Sequence, residues 1–370
     1  MNPVRVLFVS GGSLDYGGIS SWMLSYAAEF DRNLVAVDFL VHDLVPGARE
    51  AEALALGAKV YHVPFRGKQP LANQRGIERA IGAGYDAVHA HMDGMNAYPL
   101  EIAKRCGVPV RISHSHNTDF LTNHPLKRAL HEAARKRIPG SATHLFACSE
   151  AAGRFLYGNT VYDSGRVLLI RNAISADRFQ FDTVAREHLR KEIGVDDRLL
   201  IGHIGRFDLR QKNQLFLLEA FASAKQSRPE LMLALVGDGM DRAQIELRIR
   251  ELSLTDDVLL LGYREDVGAL YSAFDLFALP SLFEGLGIVL IEAQASGLNC
   301  IASDTVPHET QLGNCIYLPL EIGAWTDALA HLEVKNSRAC PTEEIAAQGY
   351  DIHTAAKSLQ QFYQEAVNRG

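Results

Sequence analysis

The second half of the chain carries two cations and two carboxylates at spacings that suit a charged, hydroxyl-rich ligand. Arg206 and Lys212 follow the apolar run Leu199–Ile204 and precede a helical pattern. Arginine offers a planar fork of donors and lysine a point charge, and both suit a diphosphate. Glu284 and Glu292 stand eight residues apart, and carboxylates accept hydrogen bonds from hydroxyl groups. These residue types favour a ligand that joins phosphates to polyols, as a sugar nucleotide does; for the two cations, a solvated loop is the alternative.

Glycine-rich turns accompany these groups in both halves of the chain. Gly285 and Gly287 flank Leu286 between the two glutamates, and Gly17 and Gly18 precede a helical pattern near the start of the sequence. Glycines let backbone N–H groups approach an anion closely, and a helix start adds a partial positive charge. The Gly17-Gly18 turn lacks the GxGxxG spacing of dinucleotide sites, so the alternative is a plain turn between a strand and a helix. For Glu292, the alternative is a structural position in the first turn of a helix, where its negative charge would complement the helix dipole.

Four histidines cluster at the ends of two consecutive predicted strands. His89 and His91 end one strand, and His114 and His116 end the next. Because side chains alternate along a strand, the members of each pair share a face. Metal ligation is conceivable for such an array, but no DxD motif occurs and no carboxylate stands at ligand spacing. We therefore predict a polar strand-end site without a metal, where one histidine contacts a reacting sugar; satisfied structural histidines are the alternative.

A basic helix is predicted at Leu126–Ile138. Its cationic residues are Lys127, Arg128, Arg135, Lys136 and Arg137. A basic amphipathic helix can lie on an anionic membrane surface. Residues 1–180 hold 20 basic and 16 acidic residues, a net charge of +4, whereas residues 181–370 hold 17 and 28, a net charge of −11. We expect weak peripheral membrane contact through residues 126–138, with a solvated surface helix as the alternative.

Short β-branched runs alternate with helical patterns along the whole chain, and these elements must position the groups above. Several runs are continuously apolar, which is typical of strands buried on both faces. Strand and helix in alternation indicate βαβ units and parallel sheets. The thirteen predicted strands are Val4–Val9, Val35–Val41, Lys59–Val63, Ala87–Ala90, Val108–Ser113, Leu145–Ala147, Val167–Ile170, Leu199–Ile204, Met232–Val236, Val258–Leu261, Leu276–Leu279, Asn299–Ala302 and Ile316–Leu318.

Thirteen strands are too many for one comfortable open sheet. We therefore predict an α/β fold with two doubly wound, Rossmann-like parallel-sheet domains facing across a cleft. The polar stretch 172–197, which follows the seventh predicted strand, is the expected break between them. Ligands of such sheets bind beyond the carboxyl ends of the strands, and the glycine turns, the cations and the histidines all stand at such ends.

Composition excludes several classes of protein. Of 370 residues, 47% are hydrophobic and 22% are charged, which is ordinary for a folded soluble protein. A net charge of −7 disfavours a nucleic-acid partner, and no run approaches the 18 apolar residues of a transmembrane helix. The N-terminal apolar run lacks a basic lead, so we expect no signal peptide. Five widely spaced cysteines without a CxxC pair favour free thiols and a cytoplasmic location.

The combined motifs resemble family 4 of the retaining GT-B glycosyltransferases over essentially the whole chain. The resemblance rests on Gly205-Arg206 with Lys212, on Glu284 with Glu292, and on Gly17-Gly18. Other matching segments are Gly237-Asp238-Gly239, Gly262-Tyr263-Arg264, residues 292–297, and Asn172-Ala173-Ile174 with Phe179. Pro307-His308-Glu309 departs from the family's usual glycine-rich stretch and leaves His308 without a role.

The resemblance implies a role for each matching residue. The implied donor contacts are Arg206 and Lys212 on the diphosphate, Glu292 on the ribose, Glu284 on the sugar hydroxyls, backbone groups of Gly285, Leu286 and Gly287 near the sugar, Gly17 and Gly18 on the phosphate side, and Tyr263 and Arg264 near the base. The family's strand-end histidine corresponds to His116, because His116-Asn117-Thr118-Asp119 is similar to its H-G-T-D segment; His114 is the alternative and His91 a further candidate. The implied catalytic set is His116, Arg206, Lys212 and Glu284, with no metal ligand.

The resemblance also implies the activity and the domain layout. The implied enzyme is a retaining, metal-independent hexosyltransferase that uses a nucleotide sugar and a hydroxyl of a glycan or lipid-linked acceptor in surface polysaccharide synthesis. Similarity to exopolysaccharide and capsule-type members favours a UDP-hexose donor, with a GDP-hexose as the alternative and no cofactor. A sugar-nucleotide epimerase and a non-catalytic sugar-nucleotide-binding protein are the competing functions. The expected domains are residues 1–172 with a C-terminal helix 354–370 for the acceptor, a linker 173–197, and residues 198–353 for the donor. The expected location is the cytoplasm, with peripheral contact at the inner face of the plasma membrane where a lipid-linked acceptor would lie.

Overall fold

The computed structural model describes residues 2–120, 124–331, 333 and 338–369. The chain forms two compact units. Unit 1 comprises residues 1–173 and 349–370, and unit 2 comprises residues 174–348. Each unit holds one parallel β-sheet with helices between its strands. The predicted α/β fold with two parallel-sheet domains is therefore confirmed.

The sheet of unit 1 has seven strands in the order β3-β2-β1-β4-β5-β6-β7. Their bounds are β1 Val4–Ser10, β2 Val35–Val41, β3 Val60–His62, β4 Ala87–His91, β5 Val110–Ser115, β6 His144–Ala147 and β7 Val167–Leu169. The helices that connect them are α1 Gly18–Glu29, α2 Glu50–Ala55, α3 Pro70–Ile81, α4 Ala97–Arg105, α5 Pro125–Arg135, α6 Ile138–Ser141, α7 Glu150–Tyr157 and α8 Asn159–Asp163, with a 3-10 turn at Asp93–Met95. The C-terminal helix, Ile352–Arg369, also belongs to this unit.

Strand β1 shows why the central strands are continuously apolar. It pairs with β2 on one edge and β4 on the other, and a separate core cluster covers each of its faces. Phe8 points into the core beneath α1 and the C-terminal helix, whereas the neighbouring Leu7 points into the core on the opposite face. Because successive side chains alternate between faces, both must be apolar.

The C-terminal helix completes the core of unit 1. Its residues Leu359 and Tyr363 are fully buried in the same cluster as Trp22 of α1. Trp22 Nε1 and the Tyr26 hydroxyl both donate to the Arg171 carbonyl, at 3.2 and 2.6 Å. The last helix of the chain is thus an integral part of the first sheet's covering layer.

The sheet of unit 2 has six strands in the order β10-β9-β8-β11-β12-β13. Their bounds are β8 Leu199–Ile204, β9 Leu231–Val236, β10 Val258–Gly262, β11 Leu276–Leu279, β12 Cys300–Ser303 and β13 Cys315–Leu318. The helices are α9 Thr183–Glu192, α10 Gln214–Lys225, α11 Arg242–Glu251, α12 Val267–Ala273, α13 Ile288–Ala295, α14 Ile322–Ala330 and α15 Thr342–Ala347, with 3-10 turns at Ala176–Phe179 and His308–Thr310. All thirteen predicted strands are present, with ends shifted by no more than two residues.

The expected linker 173–197 needs correction, because most of it is built into unit 2. It contains α9, whose Arg186 and Arg190 bind the two carboxylate oxygens of buried Asp275 at 2.6 and 3.1 Å. The polar composition of residues 173–197 resembles that of a linker, because the carboxylate that pairs with these arginines lies far away in the sequence.

The predicted basic helix Leu126–Ile138 also needs correction, since it is two helices. The first, α5, ends at Arg135, and α6 begins at Ile138. The helix is interrupted at Lys136 and Arg137, where the Arg137 N–H donates to the Ala134 carbonyl three residues back, and Pro139 has no N–H to donate to the Arg135 carbonyl.

No helix in the described ranges is both long enough and apolar enough to span a membrane. All five cysteines are described, and they are free thiols, as their spacing predicted.

Candidate functional site

Lys212 and Glu284 meet at the carboxyl end of the sheet in unit 2. Lys212 Nζ lies 2.6 Å from Glu284 Oε1, and the Ser281 hydroxyl donates to the same oxygen at 2.6 Å. Gln211 Nε2 donates to Glu284 Oε2 at 3.3 Å. Only 12% of the Lys212 side chain and 7% of the Glu284 side chain are exposed. The structure therefore joins two predicted site residues into one nearly buried ion pair.

The local backbone explains how Lys212 reaches this position. Its side chain lies across Gly205, where an added Cβ would stand 3.1 Å from Lys212 Cε. Beneath it lies buried His203, whose Nδ1 is 2.9 Å from the Ala278 carbonyl. Burial lowers the pKa of His203 to about 4, so the ring is neutral beside the ammonium. The sequence analysis did not single out His203, although it lies two residues before the strand-end glycine.

Arg206 differs from Lys212 in its surroundings. It is exposed, and its guanidinium makes no hydrogen bond or ion pair with any residue in the described ranges. Its backbone is fixed instead, because Gln214 Nε2 donates to the Arg206 carbonyl at 2.9 Å. The guanidinium is thus available to an anion at the end of β8.

The loop between the two glutamates turns directly into α13. Gly285 and Leu286 are buried, and Gly287 has a φ of 88° immediately before the helix begins at Ile288. Such a left-handed conformation favours glycine. Because the first N–H groups of a helix lack acceptors one turn back, the start of α13 can offer donors to an anion beside Glu284.

Glu292 is the fifth residue of α13, so the alternative that placed it in the first turn is wrong. The buried hydroxyl of Tyr271 lies 2.9 Å from Glu292 Oε2 and 3.1 Å from the Val289 carbonyl. Burial, together with the neighbouring carboxylate, raises the pKa of Tyr271 well above its usual range. Tyr271 is a contact that the sequence analysis missed, because it lies in α12 and no motif marks it.

Tyr263 and Arg264 follow β10. The Tyr263 side chain is half exposed, and its hydroxyl is 3.3 Å from the Asp238 carbonyl. Arg264 forms ion pairs with Asp266 and Glu192, whose hydrogen bonds raise its pKa above the usual value. The guanidinium of Arg264 is therefore committed to carboxylates, which leaves backbone groups as the predicted base contacts of this loop.

In unit 1, Gly17 and Gly18 begin α1. Gly17 is the residue before the helix, and neither glycine would bring an added Cβ within 4 Å of another atom. The turn is therefore uncrowded on the side where a side chain would stand, which is compatible with the predicted role near a phosphate. The structure leaves that role a prediction.

The four histidines form one buried cluster, which we call the histidine cluster: His89, His91, His114 and His116. His89 Nε2 lies 3.2 Å from His114 Nδ1, and His91 Nδ1 lies 2.9 Å from His116 Nε2. The Tyr363 hydroxyl lies 2.6 Å from His89 Nδ1. Burial lowers the pKa of all four imidazoles, that of His116 to about 3, so the rings are neutral.

Asp93 holds the turn that carries His116. This half-buried carboxylate accepts from the His116 backbone N–H at 2.7 Å and from Asn117 Nδ2 at 2.6 Å. Burial raises the pKa of Asp93. The sequence analysis missed this residue, although an Asp-Gly pair just after a strand is a turn signal that could have drawn attention to it. His308, which had no predicted role, stacks on Tyr317 with ring centroids 4.1 Å apart.

Comparison with known proteins covers both units. The model of the glycosyl transferase 4-like domain matches residues 17–173, and that of glycosyl transferases group 1 matches residues 185–314. A Bacillus subtilis (strain 168) protein named as glycosyltransferase EpsF is 36% identical over 370 residues, with 97% of this chain and 96% of its own covered. The Escherichia coli UDP-Gal:alpha-D-GlcNAc-diphosphoundecaprenol alpha-1,3-galactosyltransferase is 26% identical over 225 residues, 60% of this chain and 58% of its own.

Among solved structures, Anabaena Alr3699/HepE in complex with UDP-glucose superposes with a TM-score of 0.74 at 20% identity, covering 99% of this chain and 98% of that one. This likeness and the two parallel sheets define a GT-B fold. The chain belongs to the group 1 glycosyltransferases of the family 4 type and is a glycosyltransferase.

Proposed function

We propose that this enzyme transfers a hexose from a UDP-sugar to a hydroxyl of a glycan or lipid-linked acceptor, with retention of the anomeric configuration, in surface polysaccharide synthesis. The observation that carries the proposal is the strand-end arrangement of unit 2. There, exposed Arg206 lies six residues before Lys212, which pairs with Glu284 at 2.6 Å. Arg206 can bind an anion, and Lys212 is already held beside Glu284, a carboxylate that can accept hydrogen bonds from hydroxyl groups.

The diphosphate is the leaving group of the reaction. The bond from the sugar's anomeric carbon to the β-phosphate oxygen breaks, and a bond to the acceptor oxygen forms on the same face. Negative charge then develops on the diphosphate, where Arg206, Lys212 and the N-terminus of α13 stabilise it. The acceptor's proton passes to an oxygen of the departing diphosphate, so the products are UDP and the glycoside. No side chain is assigned as a covalent nucleophile.

Glu284 and Glu292 orient the donor in this proposal. When the donor diphosphate attracts Lys212, Glu284 exchanges its ammonium partner for sugar hydroxyl groups. Glu292, which Tyr271 holds in place, accepts from the ribose hydroxyls. His116 contributes a neutral imidazole next to the sugar, on a turn fixed by Asp93.

Two relatives support the choice of donor and acceptor. Alr3699/HepE, which shares the fold, was crystallised with UDP-glucose. The name of the Escherichia coli relative gives it a UDP-galactose donor and a lipid diphosphate acceptor. A GDP-hexose remains the alternative donor.

The proposed donor site needs no Mg²⁺ or Mn²⁺. These ions prefer carboxylate oxygens and phosphates, and no DxD motif occurs in the sequence. Arg206 and Lys212 supply positive charge to the diphosphate without a metal.

We also propose that α5 contacts an anionic membrane peripherally, at the inner face of the plasma membrane. Leu126 and Leu130 lie one turn apart on this helix and are 64% and 59% exposed. Exposed leucines beside Lys127 suit a membrane interface that offers both hydrocarbon and negative charge.

The decisive experiment is an activity screen with tritiated UDP- and GDP-sugars and lipid extracts. Transfer of label to the lipid fraction, with release of UDP, is the expected result. Conversion of the donor to an epimer without an acceptor would instead identify an epimerase. Donor binding without transfer or hydrolysis would identify a binding protein.

A further inference from the structure

The histidine cluster is unusual because four polar rings are packed into the core of unit 1 against one another. The ring centroids of His114 and His116 are 4.1 Å apart, and those of His89 and His91 are 4.2 Å apart. Trp22 packs against the rings with its centroid 4.9 Å from that of His91. Burying a polar group is costly unless it finds a partner.

The hydrogen bonds within the histidine cluster do not use all of its ring nitrogens. A neutral imidazole has one donor and one acceptor nitrogen. His91 and His116 use one nitrogen each on their mutual contact. His91 Nε2 and His116 Nδ1 remain buried without a hydrogen-bond partner. The arrangement therefore has unused ligand atoms at fully buried positions.

Three members of the cluster converge in the way that a metal ion requires. One ring nitrogen from each of His89, His91 and His114 lies within 4.8 Å of the other two. With Zn–N bonds of ~2.0–2.1 Å, the nitrogens of a tetrahedral site stand about 3.3 Å apart. His89 Nε2 and His114 Nδ1 are already at 3.2 Å, which matches that spacing.

We propose that His89, His91 and His114 form a binding site for a transition-metal ion of the Zn²⁺ type. Neutral imidazoles are ligands that such ions prefer, whereas Mg²⁺ and Mn²⁺ prefer oxygen. The sequence analysis predicted no metal because no carboxylate stands at ligand spacing, but a set of three imidazoles needs none. His116 adjoins the site through its contact with His91.

The surroundings of His89 support this assignment. Histidines that bind metals usually bond their other ring nitrogen to an outer partner, which fixes the ring. The Tyr363 hydroxyl, 2.6 Å from His89 Nδ1, is such a partner. It leaves Nε2 as the ligand atom, and Nε2 is the nitrogen that faces His114.

The proposal can be tested separately from the donor chemistry, although His116 adjoins the three proposed ligands. The histidine cluster belongs to unit 1, whereas Arg206, Lys212 and Glu284 belong to unit 2. Metal binding is measured without any sugar nucleotide, so its failure would leave the proposed transfer reaction untouched.

The test uses the full chain prepared without a polyhistidine tag and stripped of metal with a chelator. Equilibrium dialysis against Zn²⁺ should give one bound ion per chain, and Co²⁺ should give visible absorption bands of the tetrahedral type. Zn²⁺ should also raise the melting temperature of the apoprotein. Failure of the wild-type protein to retain Zn²⁺ would overturn the proposal on its own.

Variants locate the bound ion. His89→Gln and His91→Gln, made singly, should each lose the bound Zn²⁺ and the Co²⁺ bands. The matched control is His42→Gln, because His42 is also buried in unit 1, but its Nδ1 bonds the Ser10 carbonyl outside the cluster. Each variant is first checked for a cooperative thermal transition, and the wild-type measurement stands if one fails to fold. Zn²⁺ retained by a folded cluster variant, or lost with His42→Gln alone, would contradict the assignment.

Discussion

The Tyr271 hydroxyl lies 2.9 Å from the carboxylate of Glu292, so a buried phenol in α12 fixes a side chain of α13. Tyr271 is fully buried and cannot itself touch a donor at the strand end. It is a positioning residue for the proposed ribose contact. A hydrogen bond to a charged group contributes ~1.5–3 kcal/mol, which makes the role measurable.

Replacing Tyr271 with phenylalanine should therefore weaken donor binding more than it slows the transfer step. We expect the KM for the nucleotide sugar to rise about tenfold with little change in kcat, because the ribose contact is the same in the ground and transition states. Tyr317→Phe is the matched control, since it removes a phenol that bonds Thr310 in the same unit. A fall in kcat at unchanged KM would contradict the positioning role.

Arg206 and Lys212 should respond differently to truncation, because only Lys212 belongs to a nearly buried ion pair. Arg206→Ala should lower kcat by about 10²-fold, roughly 3 kcal/mol of transition-state stabilisation. The melting temperature should not change, because the guanidinium is exposed and makes no hydrogen bond or ion pair with the described residues. Arg250→Ala, another exposed arginine of unit 2, is the control and should keep full activity.

Lys212→Ala should lose activity and stability together. Without the ammonium, Glu284 becomes a nearly buried carboxylate that has lost its cation, and breaking a buried pair costs ~3–5 kcal/mol at most. Adding Glu284→Gln should restore part of the melting temperature but none of the transfer. Thermal unfolding of the two single variants and the double variant measures this coupling. Additive losses of stability would show that the pair contributes nothing.

Transfer should proceed at the same rate when Mg²⁺ and Mn²⁺ are omitted. The proposed donor site stabilises the diphosphate with two cationic side chains and a helix N-terminus. Initial rates in EDTA, with each ion then added back, measure the requirement. Activity lost in EDTA and restored by Mg²⁺ or Mn²⁺ would refute the donor-site proposal, whereas restoration by Zn²⁺ alone would point to the histidine cluster.

The strands were predictable because their signal is local. A parallel strand covered on both faces must be apolar along its length, and this holds for β1 through both Phe8 and Leu7. Helix α9 gave no such signal. Its stability depends on Asp275, which is 85 residues from Arg190 in the sequence.

The candidate site shows the same division between local and distant information. Residue types and spacing indicated Lys212 and Glu284, but only the neighbouring positions of β8 and β11 in the sheet bring them into contact. Strand alternation likewise placed His89 with His91. The contact of His89 with His114 required the adjacency of β4 and β5, and that of His89 with Tyr363 required the return of the C-terminal helix.

The membrane contact proposed for α5 depends on its positive charge, and the structure shows that part of this charge is neutralised by ion pairs. Arg128 pairs with Asp119, Arg135 with Glu132 and Arg137 with Glu101. Three of the five predicted cations are thus compensated. Lys127 and Lys136 are exposed and have no ion-pair partner within the described ranges.

We therefore expect the exposed leucines of α5 to matter as much as its charge. Each lysine near an anionic surface contributes about 1 kcal/mol, so Lys127 and Lys136 alone give weak binding that salt reverses. Burying Leu126 and Leu130, which lie one turn apart, adds a hydrophobic contribution that salt does not screen.

Co-sedimentation with anionic and neutral vesicles at low and high salt separates the two contributions. Leu126→Ser with Leu130→Ser should weaken binding at both salt concentrations, and Lys127→Gln with Lys136→Gln should weaken it only at low salt. Leu247→Ser, which replaces an exposed leucine of unit 2, should bind like the wild type. Equal partitioning of the wild-type protein onto both kinds of vesicle would exclude an anionic surface as the partner, and undiminished binding of both double variants would exclude α5 as the contact.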